Sequence, residues 1–430
     1  MIDAAIAFAA LMSLILMRVP VGLGMIVVGY VGFGLMVGWP QSLAMVGQVT
    51  YDTGLSYELV ILPLFVLMGN FIAKSGYADG LYAASYAFLG HHRGGLAMAT
   101  VVASGGFSAI CGSSFATAAT MCKVAMPSMR KYGYADSLAM GSIAGGGTLG
   151  IMIPPSVIMV IFGLITETNI GEIFLAGIIP GLLGILGYMA AVYFTVSLKP
   201  DYGPRGERTP WHKRIQALKQ VWGIVAIFLL VIGGIYGGIF TTVEAAGIGA
   251  TAAFVLALIS RRLSWKTLRT ILQESAQTTA MLFVVVIGAM IFSNVINLTG
   301  VTMELTTWVQ DAGLSPWMVI LFIVMCYLVL GSLLESISMI LLTVPTFFPL
   351  VTALGFDPIW FAIVVVLVTE IGLISPPVGL NIFVLKGVQP DVSTGTIFKG
   401  VLPFLAMDFI RLAIVIMVPA VSLFLPGLVR

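Results

Sequence analysis

The amino-acid sequence predicts an all-α polytopic membrane protein built from two inverted repeats, each with a re-entrant helical hairpin and a broken transmembrane helix. Three observations predict this class. Only 9% of the 430 residues are charged and 59% are hydrophobic, whereas a soluble protein carries about a quarter charged residues. Charge-free windows recur along the whole chain, and each half contains a Gly/Ser-rich segment followed by a double proline. We therefore expect the chain to lie in a lipid bilayer.

The charge-free windows are long enough for membrane helices, because about 20 apolar residues cross roughly 30 Å of hydrocarbon. In the first half they predict spans near 3–17, 21–38 and 57–74, followed by an amphipathic stretch at 76–90. Asp3 precedes the first apolar stretch and Arg18 follows it, which is opposite to the charge order of a signal peptide. We therefore expect the first helix to remain in the membrane.

The basic residues orient these spans, because Lys and Arg are retained on the cytoplasmic side. Segment 199–219 holds six of them and segment 261–269 holds four. The segments that then fall on the opposite face contain acidic residues and no Lys or Arg, namely 39–58, 167–172, 241–244, 298–316 and 354–358. The N-terminus is expected on that opposite face. The net charge is only +2, and the basic residues are scattered between apolar runs rather than clustered on one face. This argues against nucleic acid as a partner.

Two apolar windows predict hairpins rather than ordinary spans. The window 95–127 has basic residues beyond both ends and a Gly/Ser-rich middle, so we expect a helix pair that enters from the cytoplasm and turns back. The window 316–353 lies between Asp311 and Asp357 and is interrupted at Gly331 and Ser332, so we expect it to enter from the opposite side.

Each predicted hairpin is followed by a predicted broken helix with a double proline. The first covers 137–168 and breaks at Pro154-Pro155, and the second covers 358–388 and breaks at Pro376-Pro377. Proline removes a helix hydrogen bond, and non-helical backbone is tolerated at membrane depth only where it is buried in protein or lines a cavity. The breaks are therefore expected to line a functional site.

The recurrence of this pattern divides the chain into two predicted repeats, 1–198 and 220–430, joined by a cytoplasmic linker at 199–219. Each repeat crosses the membrane an odd number of times, so the second is inverted relative to the first. Inverted repeats with discontinuous helices are typical of secondary transporters.

The candidate site residues lie at the hairpin tips and the breaks. Broken helix ends offer carbonyl oxygens to a hard cation and N–H groups to a carboxylate. The alternative is that Gly and Ser merely allow close helix packing.

Glu335 is an intramembrane carboxylate and therefore a functional candidate, unless it only fixes the hairpin by hydrogen bonds. Glu370 is a similar candidate, Glu244 is expected to favour a helix N-terminus, and Asp408 with Arg411 is expected to form a self-neutralising pair.

An intramembrane enzyme is the competing class, and the sequence lacks its parts. His91, His92 and His212 all fall in predicted cytoplasmic segments, so Ser113 and Ser114 have no histidine base in the membrane. The sequence also lacks a nucleotide-binding glycine motif in the required context. We expect a non-enzymatic protein whose transport is driven by an ion gradient or a partner.

Several separated motifs resemble one family in their order and spacing. They are SAICGSSFATAAT, GTLGIMIPPS, GGIFTTVEAAGIGA, GSLLESISMILLTVPTFFPL and EIGLISPPVGLN. The chain resembles the large membrane subunit of tripartite ATP-independent periplasmic (TRAP) transporters. The resemblance implies sodium-coupled import of an organic anion, such as a C4-dicarboxylate or a sialic acid, by an elevator mechanism. It also implies a bacterial inner membrane with a periplasmic N-terminus, a periplasmic substrate-binding protein, and a small four-helix membrane subunit on a separate polypeptide.

The resemblance also assigns roles to residues. It implies one sodium site formed by Ser108, Gly112, Ser113, Gly150, Ile153 and Pro154, and a second formed by Gly331, Gly372, Ser375 and Val378. It implies a substrate between them that contacts Ser114, Ser156 and Glu335. Ser375 stands where the family often has Thr, which keeps the hydroxyl. The alternatives are a sodium/dicarboxylate symporter without a binding protein, a passive channel, and a structural membrane subunit.

Overall fold

The computed structural model describes residues 2–261 and 263–429, and all regular structure within them is helical, which confirms the predicted all-α class. The helices before the linker 199–219 are α1 (Ile2–Leu16), α2 (Val21–Met36), α3 (Trp39–Leu55), α4 (Ile61–Lys74), α5 (Tyr77–Leu89), α6 (Gly95–Cys111), α7 (Ser114–Lys131), α8 (Asp136–Thr148), α9 (Val157–Thr166) and α10 (Ile170–Leu198). The helices from the linker onwards are α11 (Trp211–Leu218), α12 (Trp222–Tyr236), α13 (Thr242–Ile259), α14 (Trp265–Leu298), α15 (Val301–Asp311), α16 (Pro316–Gly331), α17 (Ser336–Ala353), α18 (Pro358–Ile374), α19 (Leu380–Val388), α20 (Thr394–Met417) and α21 (Ala420–Val429).

Several of these helices suit a membrane. Within the described ranges, five helices are long and apolar enough to cross it, or seven if two bent helix pairs each count as one span. The five are α10, α13, α14, α17 and α20. Their outward faces carry large apolar side chains such as Leu182 and Leu186, which are 54% and 60% exposed. Such a surface suits lipid contact, so the protein is a multi-pass membrane protein.

One helix differs from the sequence-based expectation. Segment 39–58 was expected only as an outer connection, but α3 occupies most of it and meets the following helical segment, Glu58–Lys74, at an angle of 63°. Pro40 lies at the start of α3, where its missing N–H costs nothing, and no further proline interrupts the segment. Helix propensity in this polar stretch is therefore sufficient for a bent helix pair.

The order of elements after the linker repeats the order before it, and the two stretches pack on each other reciprocally. α2 packs on α14 and α4 on α13, while α9 packs on α17 and α7 on α19. Glycines allow the closest approaches: a Cβ on Gly288 would lie 2.4 Å from the carbonyl oxygen of Gly22, and one on Gly141 would lie 2.2 Å from that of Gly400. The interpretation of the two stretches as inverted repeats stays a prediction.

The linker 199–219 is ordered against the start of the first predicted hairpin. The N–H of Gly94 donates to the carbonyl oxygen of Gly203 at 2.8 Å. Arg214 is buried in α11, where its guanidinium lies over the rings of Trp211 and Phe88. Of the basic residues predicted in 261–269, Arg262 lies outside the described residues, as do the chain ends Met1 and Arg430.

Candidate functional site

The first predicted hairpin tip is a tight turn between α6 and α7. α6 ends because Gly112 adopts a left-handed φ of 61°, a conformation that glycine reaches without the steric cost of a Cβ. Its N–H donates to the carbonyl oxygen of Ser108 at 3.0 Å. Ser113 then caps α7, because its side-chain oxygen accepts from the N–H of Ala116. The turn therefore joins a helix C-terminus directly to a helix N-terminus.

The first predicted helix break lies between α8 and α9. After α8 the chain forms a short 3-10 turn at Leu149–Ile151 and then a cis Pro154-Pro155 peptide. Ser156 caps α9 and its hydroxyl donates to the carbonyl oxygen of Ile151 at 2.7 Å. The predicted break is therefore present at the predicted residues, and its proline pair is buried.

The structure places this break against the first tip. A Cβ on Gly150 would lie 2.8 Å from the Cβ of Ser108 and 3.6 Å from the carbonyl oxygen of Ser113. A Cβ on Gly112 would lie 3.4 Å from the carbonyl oxygen of Pro155. Main-chain oxygens and serine residues from two separate turns thus meet at one point. The side chain of Ile153, another predicted member of this site, points towards Gly181 of α10.

The second tip, between α16 and α17, has a different cap. Glu335 is the N-cap residue of α17, and its carboxylate accepts from the N–H of Ser338 at 3.3 Å and from the hydroxyl of the same residue at 3.2 Å. Glu335 is half-buried. The carboxylate therefore fixes the tip by hydrogen bonds, which is the alternative considered for it, and it is also placed at the positive end of a helix dipole.

The second break, between α18 and α19, also contains a cis double proline, Pro376-Pro377. Ser375 is the C-cap residue of α18, and its hydroxyl donates to the carbonyl oxygen of Ile371 at 2.7 Å. A Cβ on Gly372 would lie 2.6 Å from the carbonyl carbon of Gly331, so the backbones of break and tip are in direct contact. Unlike the first pair, these prolines are exposed, and Val378 beside them is half-buried.

At the first predicted cation site the structure brings carbonyl and serine groups together, and at the second it brings the backbones of Gly331 and Gly372 together. In the described part of the chain, no group of three or more His, Cys, Asp or Glu residues is placed to hold a metal ion. Oxygen ligands of this kind suit a hard cation, as in channel filters that replace an ion's hydration shell with carbonyls. The sodium assignment itself stays a prediction.

A buried ionic network is the main feature that the sequence analysis missed. Arg411 contacts Asp408 at 2.7 Å, as predicted, but it also contacts Glu370 at 2.8 Å. The hydroxyl of Tyr188 donates to Asp408 at 2.7 Å, and the hydroxyl of Thr148 donates to Glu370 at 3.0 Å. All five side chains are buried, and they come from α8, α10, α18 and α20. Glu370 is therefore part of an ion pair and not of the hairpin tip.

A signal for this network was present in the sequence. Thr148 stands two residues before Gly150, and Glu370 stands two residues before Gly372. The two polar residues thus occupy the same place relative to the two breaks. Their direct contact follows from the reciprocal packing of the two stretches, which a linear sequence does not show.

Charged residues outside the membrane core also form specific contacts. Glu244 accepts from the N–H of Thr241 at 2.8 Å in a capping box, which confirms its predicted place at a helix N-terminus. Arg130, at the end of α7, contacts both Asp136 and Asp391. The Arg130 guanidinium holds the pKa of the Asp391 carboxyl below its usual range by a direct hydrogen bond.

A cavity of about 1260 Å³ lies between α3, α9, α13, α14 and α17. It is lined by the acidic residues Asp52, Glu58, Glu167 and Glu244, all from segments predicted on the non-cytoplasmic face. In the chain as described, Ser114, Ser156 and Glu335 are not among its lining residues.

The sequence matches a known family and is similar to several of its members. Residues 8–421 match the model of the family described as "Tripartite ATP-independent periplasmic transporter, DctM component". The chain is similar to the C4-dicarboxylate TRAP transporter large permease protein DctM of Pseudomonas aeruginosa, with 38% identity over 90% of each chain. It is also similar to the sialic acid TRAP transporter large permease protein SiaM of Vibrio cholerae, with 32% identity over 87% of each.

A solved structure shares the fold. The crystal structure of the YdaH transporter of Alcanivorax borkumensis aligns with a TM-score of 0.63 over 87% of this chain and 88% of that one. The two sequences are only 14% identical, so this likeness concerns the fold alone.

Proposed function

This chain belongs to the family of the DctM component of tripartite ATP-independent periplasmic transporters, and we propose that it is the large membrane subunit of a sodium-coupled importer of organic anions in the bacterial inner membrane. The observation that carries the proposal is the direct contact between a Gly/Ser turn and a double-proline break, which occurs once in each half. The relatives are transporter permease proteins, which confirms that the chain is not an enzyme.

Sodium would occupy the two turn-and-break clusters. The first offers Ser108, Gly112, Ser113 and Gly150, and the second offers Gly331, Gly372 and Ser375. Sodium is a hard cation that binds neutral oxygens, and main-chain oxygens freed by a helix break supply them without a buried carboxylate. A cation bound at each cluster would also offset the negative charge of a substrate.

The substrate would lie between the two clusters. Ser114 is the first residue of α7, and Ser156 caps α9, so both mark helix N-termini that carry positive partial charge. Such termini favour a carboxylate. The two relatives described above are named for C4-dicarboxylate and for sialic acid, which are both carboxylates, so we take an organic carboxylate as the substrate class. Glu335 would then attract the cations or accept hydrogen bonds from substrate hydroxyls.

The family description calls these transporters tripartite, which indicates three components. One component of three is present in this chain, and we propose that a small four-helix membrane subunit and a periplasmic substrate-binding protein are the other two. The movement would be an elevator in which α6–α9 and α16–α19 move against the remaining helices, with the hairpins re-entrant and the halves inverted. The reciprocal packing of the two stretches supports this proposal, because inverted repeats are typical of transporters that alternate between outward-open and inward-open states.

Transport assays test the function directly. We expect liposomes containing this chain and its small subunit to take up a C4-dicarboxylate or a sialic acid only with the cognate binding protein and an inward sodium gradient. Replacing sodium with potassium should reduce uptake to the level of empty liposomes. Uptake without the binding protein would favour the symporter alternative. Uptake that follows the substrate gradient alone, with neither sodium nor binding protein, would favour a passive channel and contradict the proposal.

The orientation is tested by cysteine labelling. The basic segments 199–219 and 261–269 place Ser264 in the cytoplasm and Asp52 in the periplasm, and both residues are exposed. In a background without Cys111, Cys122 and Cys326, Ser264→Cys should react only with membrane-permeant maleimides. Asp52→Cys should react with impermeant ones. The reverse pattern would invert the topology and place the N-terminus in the cytoplasm.

A further inference from the structure

The hydrogen bond between Thr148 and Glu370 joins the two candidate sodium sites. The hydroxyl of Thr148 donates to the Oε1 atom of Glu370 at 3.0 Å. Each residue lies two positions before the glycine of its own break, Gly150 in one case and Gly372 in the other. Because each glycine contacts the tip of its hairpin, the bond connects the two turn-and-break clusters through only two residues on each side.

The surroundings make this link rigid. Thr148 and Glu370 are 0% exposed, so water does not compete for the hydrogen bond. The other carboxylate oxygen of Glu370 lies 2.8 Å from a guanidinium nitrogen of Arg411, and the Thr148 hydroxyl is also 3.2 Å from the hydroxyl of Tyr188. Both carboxylate oxygens of Glu370 therefore have a close polar neighbour. A shift of the 3-10 turn that follows Thr148 would be transmitted to α18.

The Thr148 hydroxyl has one proton, and two acceptors share it. Across to the other half the hydroxyl is 3.0 Å from the Oε1 atom of Glu370, whose negative charge makes it the stronger acceptor. In its own helix the hydroxyl is 2.8 Å from the carbonyl oxygen of Gly145, a contact that any helical threonine can make. Thr369, one residue before Glu370, illustrates that case: it is 1% exposed and its hydroxyl donates only to the carbonyl oxygen of Val365 at 2.7 Å. Thr148 differs because it reaches across to the other half.

We propose that Thr148 and Glu370 are positioning residues that couple the two sodium sites, so that sodium bound at one break orders the other. The inference rests on the proposed function. Ordering the two breaks costs conformational entropy. If the breaks are linked, the first sodium ion orders part of the second break, so the second ion binds with a smaller entropy loss. Sodium binding is then cooperative. The coupling is reciprocal by thermodynamic necessity, so it should raise sodium affinity at both sites.

The test compares Thr148→Val with Thr148→Ser. Valine keeps the shape and removes the hydroxyl, whereas serine keeps the hydroxyl. Thr369→Val is the matched control, because it removes a buried hydroxyl that bonds only within its own helix. For each purified complex, sodium is titrated at constant ionic strength with choline. The melting temperature gives sodium binding without transport, since a ligand that binds only the folded state stabilises it. Uptake in liposomes gives a second sodium curve.

We expect wild type, Thr148→Ser and Thr369→Val to respond to sodium with the same Hill coefficient, above 1. Thr148→Val should have a Hill coefficient near 1 and need at least about fivefold more sodium for half-saturation, the lower end of typical coupling between sites. If Thr148→Val does not fold, Thr148→Ala replaces it with the same expectation. A valine or alanine variant with the wild-type sodium curve overturns this inference and leaves the proposed function standing. A wild-type protein that does not respond to sodium overturns both.

Discussion

Arg411→Met is expected to lower the free energy of unfolding by roughly 3–5 kcal/mol, the usual cost of removing one partner of a buried ion pair. Arg411 is 3% exposed and its guanidinium lies 2.7 Å from Asp408 and 2.8 Å from Glu370. Methionine fills similar space but leaves two buried carboxylates without their counter-ion. The complex should lose several degrees of melting temperature in detergent, or fail to accumulate in the membrane.

Arg130→Met is a closely matched control. Arg130 also contacts two carboxylates, those of Asp136 and Asp391, but its side chain is 37% exposed and that of Asp391 is 56% exposed. Ion pairs in water contribute about 0–1 kcal/mol, so this variant should melt close to wild type. The same substitution in the same kind of three-residue cluster thus isolates the effect of burial.

A second comparison separates lost charge balance from lost packing. The triple variant Arg411→Met with Glu370→Gln and Asp408→Asn removes all three charges and keeps similar side-chain volumes. Removing one member of a buried ionic cluster is strongly destabilising because it leaves an uncompensated buried charge, and the triple variant leaves none. The triple variant should therefore be more stable than Arg411→Met alone. If Arg411→Met melts like Arg130→Met, the buried cluster does not hold the four helices together.

The two breaks were predictable from the sequence because their causes are local. Proline removes a helix hydrogen bond, so each double proline interrupts its helix at the predicted residues. The first tip is local in the same way, because Gly112 adopts a left-handed φ. The Asp408–Arg411 contact was predictable for the same reason, since residues three apart share a helix face.

What the sequence did not show depends on tertiary packing. Glu370 and Arg411 are in contact because α18 and α20 pack together. The sequence of neither helix predicts which helix it packs against. The two double prolines also have different environments: Pro154 and Pro155 are buried, whereas Pro376 and Pro377 are exposed. Identical dipeptides in corresponding positions carry no information about this difference. The helical character of 39–55 was missed because the segment contains Asp52 and is less apolar than the windows on either side, so it was assigned to an outer connection.

Gly372→Ala is expected to reduce sodium-driven uptake at least tenfold, equivalent to about 1.4 kcal/mol of lost transition-state stabilisation. A Cβ at this position would lie 2.6 Å from the carbonyl carbon of Gly331 and 2.7 Å from its oxygen. These are backbone atoms, so they cannot rotate away as a side chain would. α16 or α18 must move instead, and the movement separates the second tip from the second break where the sodium ligands would be.

Two other glycines of the same half serve as comparisons for the loss of uptake expected in Gly372→Ala. A Cβ on Gly331 would lie 3.3 Å from the Cα of Gly372 and 3.3 Å from the sulfur of Met339, which is a flexible side chain, so Gly331→Ala should have a smaller effect. Gly387 in α19 has no atom within 4 Å of such a Cβ, so Gly387→Ala should transport normally and gain about 0.5–1 kcal/mol of helix stability. We therefore expect uptake to fall in the order Gly387→Ala, Gly331→Ala, Gly372→Ala, with half-saturating sodium rising in the same order. Equal uptake by all three would mean that the contact between tip and break is ordinary helix packing, since a cation site made of backbone oxygens does not survive the separation of its two segments.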